Sequence, residues 1–270
     1  MPLIDTEAIV LNAQRLGEAD KLVTLLTVQR GKVRVVAKGS RRPRSRYGAA
    51  LEPFTHAQIV LFEKNPAHLL RLNQASIVRS HLGIRKDLEK IEAASRMVRL
   101  TSALLPDGEA NTKIFTLLTD GLARVEKGDR LEWLVWFFEL QMLKRTGYQA
   151  RLDDCIGCRK KLSAAYALFS PKAGGTLCGG CAGRIPEPLS SVSAGTRAMI
   201  RLMNRMDWTG LTRLQATAGM IREGLDLNST HIEYILGKSI KPTVPLDNGR
   251  KGNPKTSTTT YKKTLNQTNL

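Results

Sequence analysis

The chain has 270 residues, 42% of them hydrophobic, 24% charged and only 5% aromatic, a globular composition long for one domain and comfortable for two with a short tail. Its 42 Lys and Arg against 24 Asp and Glu leave a formal charge of +18, which favours a polyanionic partner, nucleic acid or an anionic membrane surface, over a merely solvated basic face. The start, MPLIDTEAIV, carries Asp5 and Glu7 and lacks the basic and apolar regions of a signal peptide. The most apolar run, LEWLVWFFELQML at 131–143, contains Glu132 and Glu139 and falls short of the ~20 residues a membrane span needs. A cytoplasmic protein with no membrane partner and reduced thiols is expected.

Residues 1–80 read as five short strands: TEAIVLNAQRL, KLVTLLTV, KVRVVA, THAQIVLF and HLLRLNQASIV, separated by turn-like breaks at 17–20, 29–31 and 63–66. In KVRVV, Lys32 and Arg34 face one side and Val33 and Val35 the other. Five such strands suit a small closed barrel, OB-fold or SH3-like. From residue 84 the period turns helical through Ile84, Leu88, Ile91 and Met97 or Val98, and a second helix is predicted over 111–125. The 131–143 run, apolar nearly all round, reads as the central helix of an all-α bundle. Ser193 reads as the N-cap of a later helix, and two further helical stretches are predicted near 210–223 and 228–237. The stretch 241–270, polar, Lys-rich and without periodicity, reads as a disordered basic tail.

Two constellations carry chemistry. Cys155 and Cys158, and Cys178 and Cys181, form two Cys-x-x-Cys pairs nineteen residues apart, the spacing of a tetrathiolate zinc site. Gly157 and Gly179-Gly180 let the backbone turn sharply enough to aim the sulfurs at one centre. An iron–sulfur centre and unmetallated thiols are the other readings. Four thiolates leave no open position for water, so Zn2+ would be structural, although Arg159, Lys160 and Lys161 keep direct nucleic-acid contact by this segment open.

The second constellation is basic. From Lys21 to Leu51 there are nine Lys or Arg and no acid, and five of them, Lys38, Arg41, Arg42, Arg44 and Arg46, crowd into nine residues of the long loop at 38–53. Such a loop suits phosphates, which Arg holds by paired hydrogen bonds; the plainer reading is a solvated flexible loop. Lys32 and Arg34 extend the charge onto the adjoining strand, and Tyr47 could stack on a base, so the expected DNA-binding set is Lys32, Arg34, Lys38, Arg41, Arg42, Arg44, Arg46 and Tyr47. Phe54 and Phe62 sit where a barrel core is expected. Gly237-Lys238-Ser239 imitates the end of a P-loop, but Ile232 stands where that motif needs Gly, and the triplet reads as a helix C-cap. The histidines His56, His68, His81 and His231 have no metal-ligand spacing, and no catalytic set stands out.

In order along residues 1–240, a barrel, GKVRVVAKGSRRPRSR, LEPF, helices, the two cysteine pairs and a final HIEYILGK resemble the RecO family of bacterial recombination mediators. The resemblance implies an α+β protein: an N-terminal OB-fold β-barrel at 1–80, then an all-α helical domain at 81–240 with a zinc-ribbon-like insertion at 150–185. It implies binding of single- and double-stranded DNA and annealing of strands coated by single-stranded DNA-binding protein (SSB). It also implies cooperation with RecR in loading RecA, a docking site for the SSB C-terminal tail on the helical domain, nucleoid association, and no nucleotide cofactor or catalysis. Two rivals stand beside it: a zinc-ribbon transcription or translation factor binding duplex DNA or RNA, and an enzyme with a concealed acid/base pair.

Overall fold

The computed structural model describes residues 3–62, 69–128, 130–162 and 165–239. The expected tail at 241–270, the turn at 63–66 and His68 lie outside them. The five expected strands are present: β1 (Leu3–Leu16), β2 (Asp20–Thr27), β3 (Gly31–Ala37), β4 (His56–Phe62) and β5 (Leu70–Arg79). β1 pairs antiparallel with β2 on one side and β4 on the other, and its register shifts between Val10 and Asn12. The order β1-β2-β3-β5-β4 closes through a parallel seam of two residue pairs, Val35 with Leu70 and Val36 with Arg71. So short a seam makes the sheet OB-like rather than a strict barrel. Strict alternation along β3 sends Val33, Val35 and Ala37 inward, where they meet Val23, Leu25, Ile59 and Leu61.

Helices follow: α1 (Leu82–Arg85), α2 (Leu88–Leu104), α3 (Thr112–Lys127) and α4 (Leu131–Arg145). The period read from Ile84 onward is broken at Asp87, whose carboxylate accepts from the backbone N–H of Glu89 and Lys90 and starts a new helix. Leu88 is consequently exposed rather than on the core face. Asn111 caps α3 in the same way through Ile114, and Gly128 ends it with φ of 90°. In α4 every residue from Trp133 to Leu143 is buried, because α2, α3 and two later helices, at Ala194–Met203 and Ala218–Leu236, surround it. Burying a ring such as Phe137 or Phe138 contributes about 1.5–3 kcal/mol.

Two polar groups in that stretch are matched. Glu139 accepts from Arg96 Nε at 2.5 Å and from Asn228 Nδ2 at 3.3 Å, and Gln141 donates to the Met203 carbonyl. Burial pushes the Glu139 carboxyl up, against the Arg96 charge and its hydrogen bonds.

A three-stranded sheet, order β7-β6-β8, comes from β6 (Tyr166–Ser170), β7 (Gly175–Leu177) and β8 (Ser190–Ser193), with the single turn α5 (Gly179–Ala182) between the last two. Ser193 caps α6 (Ala194–Met203), as expected, by accepting from Thr196 N–H. The end of the chain differs from the expectation. In place of helices near 210–223 and 228–237 stand one turn, α7 (Trp208–Leu211), and one long helix, α8 (Ala218–Leu236). The polar run Asn228-Ser229-Thr230 breaks the apolar period without breaking the helix, since Asn228 reaches Glu139 and Ser229 accepts from Arg96. Gly224 lets α8 approach α4 closely; a Cβ there would lie within the Trp136 ring. Among the described residues no helix is long and apolar enough to cross a membrane.

Sheet and helices are clasped. Lys32 Nζ donates to the Ser102 carbonyl at 2.7 Å and lies 3.2 Å from Asp107, while Gly108 N–H donates to the Lys32 carbonyl. Gly31, at φ of 58°, has the Glu109 backbone against it where a Cβ would stand. On the other side Glu126 receives Arg79, His81 and the Gly83 N–H, and Arg85 donates to the Pro53 carbonyl and to Thr55.

Candidate nucleic-acid interface and metal centre

The basic loop leaves β3 at Ala37 and re-enters the fold through a 3-10 turn at Gly48–Leu51. It is held at both ends. Gly39 N–H donates to Asp20, and Arg41 N–H donates to the Ala19 carbonyl. The Arg41 guanidinium donates to the carbonyls of Gly17 and Glu18, so it bridges the loop to the β1–β2 turn. The Tyr47 hydroxyl donates to the Leu72 carbonyl at 2.8 Å and accepts from Arg46, whose guanidinium lies 5.1 Å above the ring.

These contacts divide the expected DNA-binding set. Tyr47 is 3% exposed, with its ring in the interior of the sheet. It is therefore a loop anchor: a base has no free face to stack on, because the ring is needed to fill the core beneath the loop. Lys32 is committed to the clasp with Ser102 and Asp107, and Arg34 lies 3.7 Å from the same carboxylate while staying exposed. Arg41 and Arg46 stiffen the loop. Lys38, Arg42 and Arg44 stand in solvent with no ion pair or side-chain hydrogen bond among the described residues. Phe54 is buried, as expected, although against the helices rather than inside the sheet.

The four cysteines converge. Their sulfurs all lie within 4.8 Å of one another, and Cys158 Sγ is 3.8 Å from Cys178 Sγ. Four ligands at about 2.3 Å around a tetrahedral centre stand roughly 3.8 Å apart, so this donor set fits Zn2+. The segment folds for it: Cys155 N–H donates to the Lys160 carbonyl, Ile156 N–H to Thr176, and Cys178 N–H points at Cys155 Sγ at 3.3 Å. Gly157 gives the Cys181 sulfur its room. Burial acts to raise the Cys155 thiol, but backbone N–H groups of Cys158, Cys178 and Gly157 outweigh it and bring it down to about 6. Cys181, which shares its proton with the other three sulfurs, is pushed up to about 12. A cluster with one ready thiolate and crowded neighbours is what a divalent cation resolves by displacing protons. All four positions would be filled by cysteine sulfurs, and bound Zn2+ would supply folding energy rather than an activated water.

Three histidines have ordinary structural roles: His56 with Glu7, His81 with Glu126, and His231 with the Tyr148 carbonyl. Gly237 ends α8 at φ of 64°, the helix C-cap expected of that triplet.

One site was missed by sequence reasoning. Arg124, Lys127 and Arg130 rim a pocket of about 240 Å3 floored by Trp133, Trp208 and Leu211. Arg124 lies 5.3 Å above the Trp208 ring and Arg130 4.8 Å above that of Trp133. Arg124 and Lys127 are one helical turn apart, a usable signal, but Trp208 comes from a distant segment that no local pattern links to them.

Family models match almost the whole chain: "Recombination protein O N terminal" over residues 1–81 and "Recombination protein O C terminal" over 85–243. The chain is 33% identical over 241 residues to the DNA repair protein RecO of Anaeromyxobacter dehalogenans strain 2CP-C, covering 89% of this chain and 94% of that one. It is 30% identical over 253 residues to RecO of Desulforamulus reducens, covering 94% and 97%, and 41% identical over 176 residues to RecO of Geobacter metallireducens, covering 65% and 71%. A protein with this OB-like sheet, this helical bundle and this cysteine cluster, matched over residues 1–81 and 85–243 by the two family models, belongs to the RecO family of DNA repair proteins.

Proposed function

We propose that the protein is a non-catalytic recombination mediator that binds single- and double-stranded DNA through the loop at 38–46. In this reading it anneals complementary strands coated by SSB and, with RecR, assists the loading of RecA. One observation carries it: Lys38, Arg42 and Arg44 are exposed and unmatched on a loop whose neighbours, Arg41, Arg46 and Tyr47, are tied to the sheet. A stiff loop loses little conformational entropy when phosphates arrive, and unmatched guanidinium groups exchange water and counterions for them. Because the exposed contacts are cationic and the lone aromatic is buried, binding is sequence-tolerant and salt-sensitive.

Annealing needs two like-charged strands brought together, and neutralising their charge does this without fuel. The pocket rimmed by Arg124, Lys127 and Arg130 suits the SSB C-terminal tail, an acidic segment with an apolar end: cations meet the carboxylates and the indoles of Trp133 and Trp208 meet the terminal side chain. Zn2+ on Cys155, Cys158, Cys178 and Cys181 is a structural staple.

The test uses the purified protein with complementary oligonucleotides pre-coated with SSB, in the absence of ATP. Annealing faster than the protein-free rate is expected. No acceleration overturns the mediator reading.

A further inference from the structure

The loop at 38–46 offers phosphates a set of cations but no ring, since Tyr47 is buried. A site that grips only the sugar–phosphate backbone holds single and double strands alike. Unpaired bases can also stack on aromatic side chains, which bases inside a duplex cannot do. Among the described residues three Tyr, Phe or Trp rings stand exposed: Tyr148 at 46%, Tyr166 at 64% and Tyr234 at 52%. None of them belongs to the OB-like sheet or its loop.

Tyr148 and Tyr234 are gathered around His231. Tyr148 follows the C-terminal end of α4; its N–H donates to the Leu143 carbonyl at 2.8 Å, and its own carbonyl accepts from His231 Nε2 at 2.9 Å. Its backbone is pinned on both sides, yet its side chain makes no hydrogen bond or ring contact among the described residues. Tyr47 is the reverse case, with ring and hydroxyl both spent on the sheet. Tyr234 stands three residues beyond His231 on α8, about 4.5 Å along the helix axis. His231 itself is buried and meets Phe169 of β6 edge-on at 5.5 Å, so both tyrosines rest on packed core.

Cations frame the two rings. The β6–β7 turn at 171–174 is drawn to the same place: Arg151 N–H donates to the Gly174 carbonyl, and a Cβ on Gly174 would stand 3.7 Å from His231 Cε1. This brings exposed Arg151 and Lys172 to the neighbourhood of His231, and exposed Lys238 follows the Gly237 C-cap of α8. None of the three has an ion pair or a side-chain hydrogen bond among the described residues. Glu233, the carboxylate next to Tyr234 in sequence, accepts from Ser239 at 2.8 Å. A solvated face accounts for exposed Arg and Lys. It gives no reason to hold two tyrosine rings in water, where apolar area is costly.

We infer that Tyr148 and Tyr234 form a stacking platform for unpaired bases, with Arg151, Lys172 and Lys238 on the adjoining phosphates, and that this patch distinguishes single from double strands. The inference rests on the DNA-binding reading proposed above. The Trp-floored pocket roofs its rings with arginines, which suits a side chain entering a cavity. The rings here project into solvent, which suits a flat base.

The test uses full-length protein carrying R42A/R44A as the parent, so that the loop does not mask the patch. Fluorescent single-stranded and duplex oligonucleotides of equal length are titrated and read by anisotropy across a salt series. The parent should prefer the single strand. Adding Y148A should weaken single-strand binding about tenfold, within the range for one stacked base, while duplex affinity and the salt slope stay as they were. Y148F keeps the ring and should bind as the parent does. R151A/K172A should instead lower the single-strand salt slope by ~1.4, the value for two lost phosphate contacts. An oligonucleotide carrying 5-iododeoxyuridine should photocross-link to Tyr148 or Tyr234 in the wild type, a readout that needs no variant. A parent without strand preference, a Y148A effect that is absent or equal on duplex, or cross-links confined to the loop each overturn this inference. So does a Y148A protein that keeps its single-strand affinity but loses an acidic peptide, which would make the patch a peptide surface. Failure of the DNA-binding reading itself looks different: R42A/R44A would then bind duplex as the wild type does.

Discussion

Two sets of cations in this molecule behave in opposite ways. One set is matched inside the fold: Arg96 meets Glu139 at 2.5 Å, and Lys32 meets the Ser102 carbonyl and Asp107. On the loop at 38–46, Lys38, Arg42 and Arg44 have no partner. Burial explains the difference. A charge out of water must be paired within the fold, whereas a charge in solvent can remain available to an external polyanion. Side-chain chemistry is the same in both sets, so composition cannot tell them apart; position in the fold does.

If Zn2+ fills the cysteine cluster, its removal should have the largest effect. Zinc binding in small domains carries ~10–16 kcal/mol of apparent free energy. A chelator, or C155S, should therefore unfold the 150–185 segment, seen as protease cleavage within it and rapid thiol labelling. If the ribbon is only a staple, DNA binding by the loop survives this treatment; its loss would move the interface to Arg159, Lys160 and Lys161.

Next come the matched charges. E139A strands Arg96, whose side chain is 28% exposed and can partly reach water, so the lower end of the usual range applies, about 3 kcal/mol. G224A forces a methyl into Trp136 and should cost about 1–3 kcal/mol by overpacking. Urea midpoints check both. K32A tests the clasp: about 1–2 kcal/mol of stability is lost while the DNA salt slope is unchanged. A fall in slope with stability intact would return Lys32 to the DNA-binding set.

For the unmatched set the signs reverse. R42A/R44A should leave stability within ~0.5 kcal/mol and lower the single-strand salt slope by ~1.4. Fluorescence anisotropy across a salt series reads the slope.

The smallest expected effect is on pH. His81 and His231 are both held below the ordinary histidine value of 6.5, chiefly by burial. As pH falls below 6.5 the unfolded chain takes up protons that the folded chain resists, so this contribution is complete above that value and lost toward lower pH. Urea midpoints should drop between pH 7.5 and 5.5, and H231Q should flatten the drop.

Local patterns explain how much of this could be read in advance. The five strands follow from short apolar runs parted by turn signals, α4 from its length and near-continuous apolarity, and the cysteine cluster from spacing alone, because each is encoded by neighbours in sequence. What escaped depends on distant partners. Asn228 looks like a helix breaker until Glu139 is beside it. Tyr47 looks like a stacking platform until its hydroxyl is found on the Leu72 carbonyl. The Trp208 wall of the basic pocket is likewise assembled by packing.

The backbone contact at Gly31 has a mechanical consequence. With Glu109 pressed where a side chain would be, Lys32 locked to Ser102, and Glu126 gripping the β5–α1 junction from the far side, the fold offers no slack for a hinge. The molecule is built as a fixed jig: the distance from the basic loop at 38–46 to the helices is set once at folding, and any ligand spanning the two would have to supply the compliance.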